Sequence, residues 1–303
     1  MPFIASLRRS RSYPLLLLIA TGTTLGMAPP FAKLATAAGV PAVAFAFWQY
    51  LLGGIGLLAL AILSGARPPL RPLHLRYYAI GGLITLALPN VLVFLAVARI
   101  GAGLPSIAYA FPAMLTYAIA LGLRMETLVW TRAAGIGLGL IGILIILGPR
   151  SGPVDEADLP WMLLAFIAPV SLAAGNIYRT RAWPKDAAPL ALAAGTLLSA
   201  AVWLLIACLA FGLFYMPSLA AESDWVLAAA GVFACLSFIP YFELQRVAGP
   251  VYLSQIGYVM AATSLGIGWL IFGERYGLLV WLAILVIVAG ILLVNRRPAQ
   301  KPA

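Results

Sequence analysis

The side chains that most often carry out catalysis are few in this sequence and stand far apart. His74 is the only histidine and lies in a basic loop, and the nine acidic residues are scattered. Cys208 and Cys235 lie inside apolar runs without a CxxC spacing, which is typical of small packing residues. A catalytic site needs converging groups, such as paired acids or a nucleophile beside a base. The sequence therefore predicts a protein that is not an enzyme and that uses no cofactor and no metal.

Uncharged polar and aromatic side chains inside apolar segments are better candidates for a functional site. Tyr252, Gln255 and Tyr258 are three residues apart and share one helical face, and Asn90 is the most deeply placed amide. Such a lining suits a zwitterionic or amphipathic solute. The candidate substrate-binding residues are Trp48, Asn90, Tyr109, Phe111, Ser171, Asn176, Tyr241, Gln255 and Tyr258. Ordinary helix packing or anchoring at the membrane surface accounts for any one of them equally well.

Two charged residues are candidates for coupling transport to an ion. Lys33 follows Pro30 near the outer end of the first apolar run, where its side chain either reaches the headgroups or faces a cavity. Glu243 lies near the end of the eighth run, three residues before Arg246. An acid at membrane depth is by default a functional candidate, for instance a proton-binding site. The spacing also permits a local ion pair between Glu243 and Arg246, which is the favoured interpretation.

The composition identifies an integral membrane protein. Hydrophobic residues make up 63% of the chain, only 9% of residues are charged and the mean hydropathy is +1.03, whereas a soluble domain carries about 25% charged residues. The net charge of +10 comes from short basic clusters between apolar runs. These clusters match the headgroups of the cytoplasmic leaflet. No basic-aromatic stripe accompanies them, so the bilayer and not nucleic acid is the expected partner.

Ten apolar runs approach the length of about 20 residues that a membrane-spanning helix needs. They are 13–36, 41–64, 77–98, 104–122, 132–148, 159–178, 188–214, 224–243, 250–273 and 277–295. With the N-terminus inside, 15 lysines and arginines face the cytoplasm, Arg179 and Arg181 among them, and 4 face the opposite side. This bias predicts a multi-pass protein of a bacterial-type inner membrane with both termini in the cytoplasm.

Internal prolines separate the apolar runs into two groups. They are Pro29 and Pro30 in the first run, Pro89 in the third, Pro112 in the fourth, Pro169 in the sixth and Pro240 in the eighth. The fifth and tenth runs carry no internal proline and no ionisable residue in mid-span. Broken backbone at membrane depth is tolerated where protein or a water-filled cavity surrounds it. The pattern predicts a cavity between the first, third, fourth, sixth, eighth and ninth helices.

A short phrase occurs once in each half of the chain. Glu126 and Glu274 are 148 positions apart, and the same offset carries Gly142 onto Gly290. The repeat unit holds five helices, an odd number, so the second copy enters the membrane inverted relative to the first. Inverted repeats with a site between them are the architecture of alternating-access transporters. The two glutamates lie in short interhelical connections, where helix capping is favoured over a transport role.

The predicted fold class is all-α integral membrane, with ten transmembrane helices as two inverted five-helix repeats. Its parts are a basic cytoplasmic N-terminus (1–12), a first repeat (13–148), a periplasmic linker (149–158), a second repeat (159–295) and a basic cytoplasmic tail (296–303). Gly135, Gly139 and Gly142 form a small-residue stripe on the fifth helix. The stripe predicts close packing within one chain or between two, so both a monomer and a homodimer are compatible with it.

The second half carries a family pattern around the sequence "GERYGLLVWLAILVIVAGILLV". Residues 248–294 resemble the EamA-type domains of the drug/metabolite transporter superfamily, and residues 102–148 resemble them more loosely. The first copy departs from the pattern because Met125 and Thr127 flank its glutamate. The resemblance covers essentially the whole chain. It implies ten helices and transport of small metabolites, often export, but it implies no particular substrate.

These observations predict a secondary active transporter that works by alternating access. The chain contains no GxxxxGK[ST] motif, so the sequence does not support ATP-driven pumping, and protons are a candidate coupling ion. Export of amino acids, including aromatic ones, is the leading hypothesis because the candidate lining is aromatic. Efflux of drugs or quaternary cations over tyrosine and tryptophan faces is the alternative. A non-transporting membrane scaffold or an intramembrane enzyme is the second alternative class.

Overall fold

All regular elements in the described part of the chain are helical. The computed structural model describes residues 12–100, 111–147, 159–218, 221–271, 273 and 277–295. The helices are α1 (Tyr13–Leu25), α2 (Ala28–Ala37), α3 (Ala42–Leu63), α4 (Pro72–Gly82), α5 (Leu88–Ile100), α6 (Pro112–Gly122), α7 (Trp130–Leu147), α8 (Leu159–Arg181), α9 (Pro189–Ala210), α10 (Glu222–Leu253), α11 (Ile256–Leu270) and α12 (Leu278–Asn295). A π-helical segment, Leu83–Ala87, joins α4 to α5. The prediction of an all-helical fold is confirmed.

The helices form a multi-pass membrane protein. Six segments are long and apolar enough to span a bilayer: Tyr13–Ala37, Ala42–Leu63, Pro72–Val93, Leu163–Arg181, Pro189–Ala210 and Glu222–Leu253. Four shorter apolar helices are Pro112–Gly122, Trp130–Ile145, Ile256–Leu270 and Leu278–Val294. Large apolar side chains such as Leu163, Leu209 and Leu285 are exposed on the outside of the bundle, as a surface that faces lipid requires. Six spans are therefore supported directly, and the count of ten stays a prediction.

Prolines mark where the helices begin and where they break. Pro14, Pro72 and Pro189 stand in the first turn of α1, α4 and α9, where the missing N–H has no intrahelical partner in any case. Pro112, placed inside a helix by the sequence, is the first residue of α6. Gly249 breaks α10 with a φ of 78°, a left-handed conformation that only glycine adopts without strain.

The π-helical segment before Pro89 opens the backbone next to α8. Proline cannot donate the hydrogen bond of a regular helix, and local π geometry with side-chain hydrogen bonds commonly compensates in membrane helices. Here Ser171 Oγ donates to Ile84 O at 2.6 Å and Asn90 Nδ2 donates to Leu86 O at 2.6 Å. Two of the candidate residues are thus also satisfying backbone carbonyls at the break.

Helix contacts repeat when the two halves of the chain are exchanged. In this exchange α1 and α2 correspond to α8, α3 to α9, α4 and α5 to α10, α6 to α11, and α7 to α12. The α1 helix packs on α10 and α11, and its counterpart α8 packs on α5 and α6. The contact between α3 and α10 is matched by the contact between α9 and α4. The contacts α3–α9 and α7–α12 each join a helix to its own counterpart in the other half. The two halves are therefore related copies that share one interior.

The α7–α12 contact shows that the copies are inverted. A β-carbon on Gly290 would stand 2.6 Å from Gly135 O and 2.9 Å from Gly139 N, and one on Gly142 would stand 2.5 Å from Ile287 and 2.9 Å from Ala283 O. As the residue number increases along α7, the number of the contacting residue on α12 decreases. The two helices therefore run antiparallel. The offset of 148 positions carries the first set of contacts onto the second. The glycine stripe thus packs within one chain.

We expect Gly290→Ala and Gly135→Ala to destabilise the protein by about 1–3 kcal/mol, because each added methyl group would overpack the α7–α12 contact. Gly137 lies on the same helix with nothing within 4 Å of its β-carbon position. Gly137→Ala should therefore be neutral or slightly stabilising. Thermal unfolding of the three variants in detergent measures the difference, and equal melting temperatures would contradict the close contact.

Candidate functional site

Asn90 begins a line of polar and aromatic contacts through the interior. Its Nδ2 atom lies 3.3 Å from Tyr50 Oη, to which it donates a hydrogen bond. The Tyr50 ring meets the Phe238 ring edge-on with 6.1 Å between centroids, and Phe238 lies 5.0 Å from the Tyr241 ring. These contacts run from α5 and α3 in the first half of the chain to α10 in the second. The candidate residues Asn90 and Tyr241 therefore belong to one cluster.

Arg179 forms the charged centre of this cluster. It lies in the last turn of α8 and is 0% exposed. Its Nη2 donates to Tyr241 Oη at 2.6 Å and to Asn176 Oδ1 at 3.1 Å. The guanidinium carbon lies 4.9 Å from the centre of the Tyr241 ring and 5.3 Å from that of Phe242, which is a cation–π arrangement. Nε and Nη1 have no hydrogen-bond partner among the described residues.

Asn176 connects Arg179 to a buried glutamine. Gln245 Nε2 donates to Asn176 O at 3.2 Å and to Thr180 Oγ1 at 3.1 Å. Gln245 is buried, and its Oε1 accepts no hydrogen bond from the described residues. The cluster therefore presents unused donors on Arg179 and an unused acceptor on Gln245, on two sides of one asparagine.

Aromatic rings close the cluster on the side of α4. The Tyr77 ring stacks on Tyr178 with 6.2 Å between centroids and meets Trp183 edge-on at 6.4 Å. Trp183 in turn lies 6.1 Å from Phe242. Tyr77 is buried, and its Oη has no partner in the described part of the chain. A β-carbon on Gly81 would stand 3.4 Å from the Arg179 side chain, so this arginine lies against α4 at contact distance.

A second polar cluster lies where α10 and α11 meet α7 and α12. Gln255 is 0% exposed, and neither of its amide atoms has a partner among the described residues. It lines a cavity of about 30 Å³ with Glu126, Arg132, Ala248, Val251, Tyr252 and Val294. Arg132 Nη1 donates to Glu126 Oε2. A cavity of this volume has room for a water molecule but not for a metabolite.

Tyr258 faces α7 and makes an interhelical contact there. Its Oη donates to Ile136 O at 3.1 Å. A β-carbon on Gly139 would stand 2.3 Å from the Tyr258 ring, so only glycine leaves space for the tyrosine. The helical face that carries Tyr252, Gln255 and Tyr258 is therefore separate from the cluster around Arg179.

Both halves of the chain match one sequence family, described as the EamA-like transporter family, over residues 12–148 and 159–296. The chain belongs to this family. No curated protein matches the sequence. A solved structure described only as "Crystal structure of protein" superposes with a TM-score of 0.76, covering 94% of this chain and 98% of its own, at 19% sequence identity. That likeness shows the fold alone, while the family identifies a membrane transporter of small molecules.

Among the described residues of this EamA-like protein, three other sequence candidates have surroundings that do not include Arg179. Trp48 Nε1 donates to Tyr215 O at 2.9 Å, and the Phe111 ring lies 5.4 Å from Phe166. Lys33 is exposed on α2. Tyr109 and Glu274 lie outside the described residues.

Glu243 forms the ion pair that its spacing permits. Its carboxylate receives Arg246 Nη2 at 2.6 Å and Arg246 Nε at 3.0 Å. Tyr13 Oη donates to Glu243 Oε1 at 3.4 Å. The carboxylate is buried while Arg246 is about half exposed, so the pair lies at an edge of the bundle. Its role as a coupling charge stays a prediction.

The Arg179 cluster has the groups that bind a polar ligand: hydrogen-bond donors on Arg179, an acceptor on Gln245 and aromatic surfaces. Among the described residues no group of three histidine, cysteine or acidic side chains comes together to hold a metal ion. The absence of a cofactor stays a prediction.

Arg179 and Gln245 are the residues that sequence reasoning missed. Arg179 was counted with the cytoplasmic arginines because it stands two residues before Arg181 at the end of an apolar run. The available signal was its (i, i+3) spacing from Asn176, which places both on one helical face. Gln245 lies just beyond the eighth apolar run, 224–243, whereas the helix α10 continues past it to Leu253.

We expect Tyr258→Phe to lower the stability by about 1 kcal/mol, because the buried hydrogen bond to Ile136 O is lost, and to leave ligand selectivity unchanged. Tyr241→Phe removes an acceptor from Arg179 and should change ligand affinity instead. Thermal unfolding and ligand binding measured on both variants separate the two roles. A shift in selectivity for Tyr258→Phe would return this tyrosine to the substrate site.

Proposed function

We propose that this EamA-like protein is a secondary active exporter of small metabolites, with amino acids, including aromatic ones, as its substrate class. It works by alternating access, with ten spans arranged as two inverted five-helix repeats around a central site. Its membrane is a bacterial-type inner membrane, and both termini lie in the cytoplasm. The protein acts as a monomer or a homodimer, and protons are the candidate coupling ion.

The position of the Arg179 cluster between the two repeats is the observation that carries the proposal. Arg179, Asn176 and Tyr241 belong to the second repeat, and Tyr50 and Gly81 belong to the first. A carrier that moves one repeat against the other changes the access of a site at their interface. The cluster therefore lies where such a movement would open it to one side of the membrane and close it to the other.

Arg179 favours an amino acid over a quaternary cation. Aromatic rings attract cations, and Tyr241 and Phe242 could serve this purpose in a drug-efflux carrier. In this protein, however, the rings already lie over a guanidinium group. A second positive charge in the same buried site would be repelled, so the cation alternative is the weaker hypothesis.

Uptake into liposomes tests the function. We expect purified protein, reconstituted and preloaded with unlabelled amino acids, to exchange them for labelled phenylalanine or leucine, and a pH gradient to drive accumulation. Organic cations should exchange poorly, and protein-free liposomes give the background. Exchange of cations alone would favour the efflux alternative, and no exchange of any solute would favour a non-transporting scaffold.

Glu243→Gln tests coupling separately from transport. We expect exchange and its response to a pH gradient both to persist, because the Glu243 carboxylate is paired with a half-exposed Arg246 at an edge of the bundle. The stability loss should be about 1–3 kcal/mol, the size of a hydrogen bond to a charged group, because the charge that remains, on Arg246, is about half exposed and can be solvated. Arg246→Gln is the matched control. If exchange persists but the pH gradient no longer drives accumulation, Glu243 is the coupling residue.

A further inference from the structure

The guanidinium of Arg179 has more hydrogen-bond donors than acceptors around it. An arginine side chain carries five N–H groups, and only the two on Nη2 are used, for Tyr241 and Asn176. The donors on Nε and Nη1 are buried without a partner among the described residues. A buried charge whose donors are unmet is destabilising. An anionic ligand group would meet these donors and offset the charge.

Gln245 supplies the opposite chemistry. Its neighbour Asn176 O is a backbone carbonyl and can only accept, so the Gln245 atom that faces it must be the amide nitrogen. This fixes the orientation of the amide and leaves Oε1 as the unpartnered atom. A carbonyl oxygen that is buried without a donor is a natural partner for an ammonium group.

Asn176 holds the two groups close together, since its Oδ1 receives Arg179 and its backbone oxygen receives Gln245. Because both residues contact Asn176, a ligand that satisfies both would carry an anionic group and an ammonium group. We propose that Arg179 and Gln245 bind the α-carboxylate and the α-ammonium group of a zwitterionic amino acid. This inference rests on the proposed transport function and assigns the residues that recognise the charged groups of the substrate.

The surroundings of the cluster indicate the side chain of that substrate. Tyr77, Tyr178 and Trp183 form an aromatic wall beside Arg179, and the buried Tyr77 hydroxyl is a further unpartnered group. Such a wall suits an apolar or aromatic amino acid. Arg179, Gln245 and Asn176 are all buried, so in this proposal a ligand reaches them only when the repeats move.

A purely structural role for Arg179 makes a different prediction. The side chain stands in the last turn of α8, where a cation interacts favourably with the helix dipole, and two rings stack on it. In that case its replacement would change stability but would not change which ligand groups are recognised. The two roles are separated by a ligand series in which one charged group is removed at a time.

The first experiment uses the wild-type protein alone. Binding of L-phenylalanine is compared with binding of L-phenylalaninamide and phenethylamine, which lack the carboxylate, and of 3-phenylpropanoate, which lacks the ammonium group. Ligand-induced thermal stabilisation and competition for labelled phenylalanine report the affinities. We expect each analogue to bind at least about tenfold more weakly, because each loses a charge-assisted hydrogen bond.

The second experiment assigns each group to its residue. Arg179→Gln should remove the preference for phenylalanine over its amide and retain the preference for the ammonium group. Gln245→Leu should do the reverse. Arg181→Gln is the matched control, because it removes the same charge from an exposed position two residues along α8. This control should keep both preferences. Arg179→Lys should restore part of the carboxylate preference.

The outcomes distinguish this inference from the function on which it rests. If wild-type protein exchanges amino acids but binds the analogues equally well, the headgroup assignment is overturned and the carrier stands. Equal loss of both preferences in Arg179→Gln and Gln245→Leu would likewise contradict the assignment. Exchange of organic cations alone, or of no solute, overturns both. Should Arg179→Gln fail to elute as a single species, the wild-type ligand series decides.

Discussion

Deep in a membrane bundle, a polar group has no bulk water to fall back on, so it must find its partner within the protein. The chain meets this constraint with side chains at its weakest points: Ser171 and Asn90 bond the carbonyls of the π-helical segment, and Tyr258 bonds Ile136 O. Against this background the open donors of Arg179 and the open acceptor of Gln245 stand out, because they lie in one cluster and have complementary chemistry. Binding a substrate would satisfy both.

The same constraint explains why the duplication is preserved in the packing. The hydrogen bond from Ser171 to Ile84 O joins the two halves at the π-helical segment, and the tight α7–α12 contact joins them a second time. Glycine at 135, 142 and 290 lets these two helices approach so closely that an added β-carbon would meet the backbone of the partner helix, and Gly139 makes room for the Tyr258 ring. The side chains that these glycines meet on α12, those of Ile287 and Val294, are apolar, so the contact does not compete for the hydrogen bonds of the Arg179 cluster.

The all-helical fold, the inverted repeat and the family could be predicted from the sequence, because the lengths of the apolar runs and the 148-residue offset are visible without any knowledge of packing. The number of spans could not be confirmed beyond six. The sequence also predicted Asn90, Asn176 and Tyr241, which the structure links into one cluster. It could not place Arg179, because the rule that counts arginines at the ends of apolar runs does not say which side of a helix turns inward. The orientation of Gln255 and Tyr258 could not be predicted for the same reason. Their spacing places them on one helical face, but only the folded structure shows that this face lies against α7.

The buried guanidinium also decides between ligands in a way that shape alone cannot. Tyr241, Phe242 and the wall around Tyr77 would, without Arg179, form a surface that attracts cations. With it, an amine that lacks a carboxylate brings like charge toward like charge; at about 4 Å and an effective dielectric constant of 20 the repulsion is about 4 kcal/mol. A zwitterion is not repelled in this way, because its carboxylate would lie between the Arg179 guanidinium and its own ammonium group. In the proposed site, the Arg179 charge would therefore exclude cations by repulsion, without any change in the size of the site.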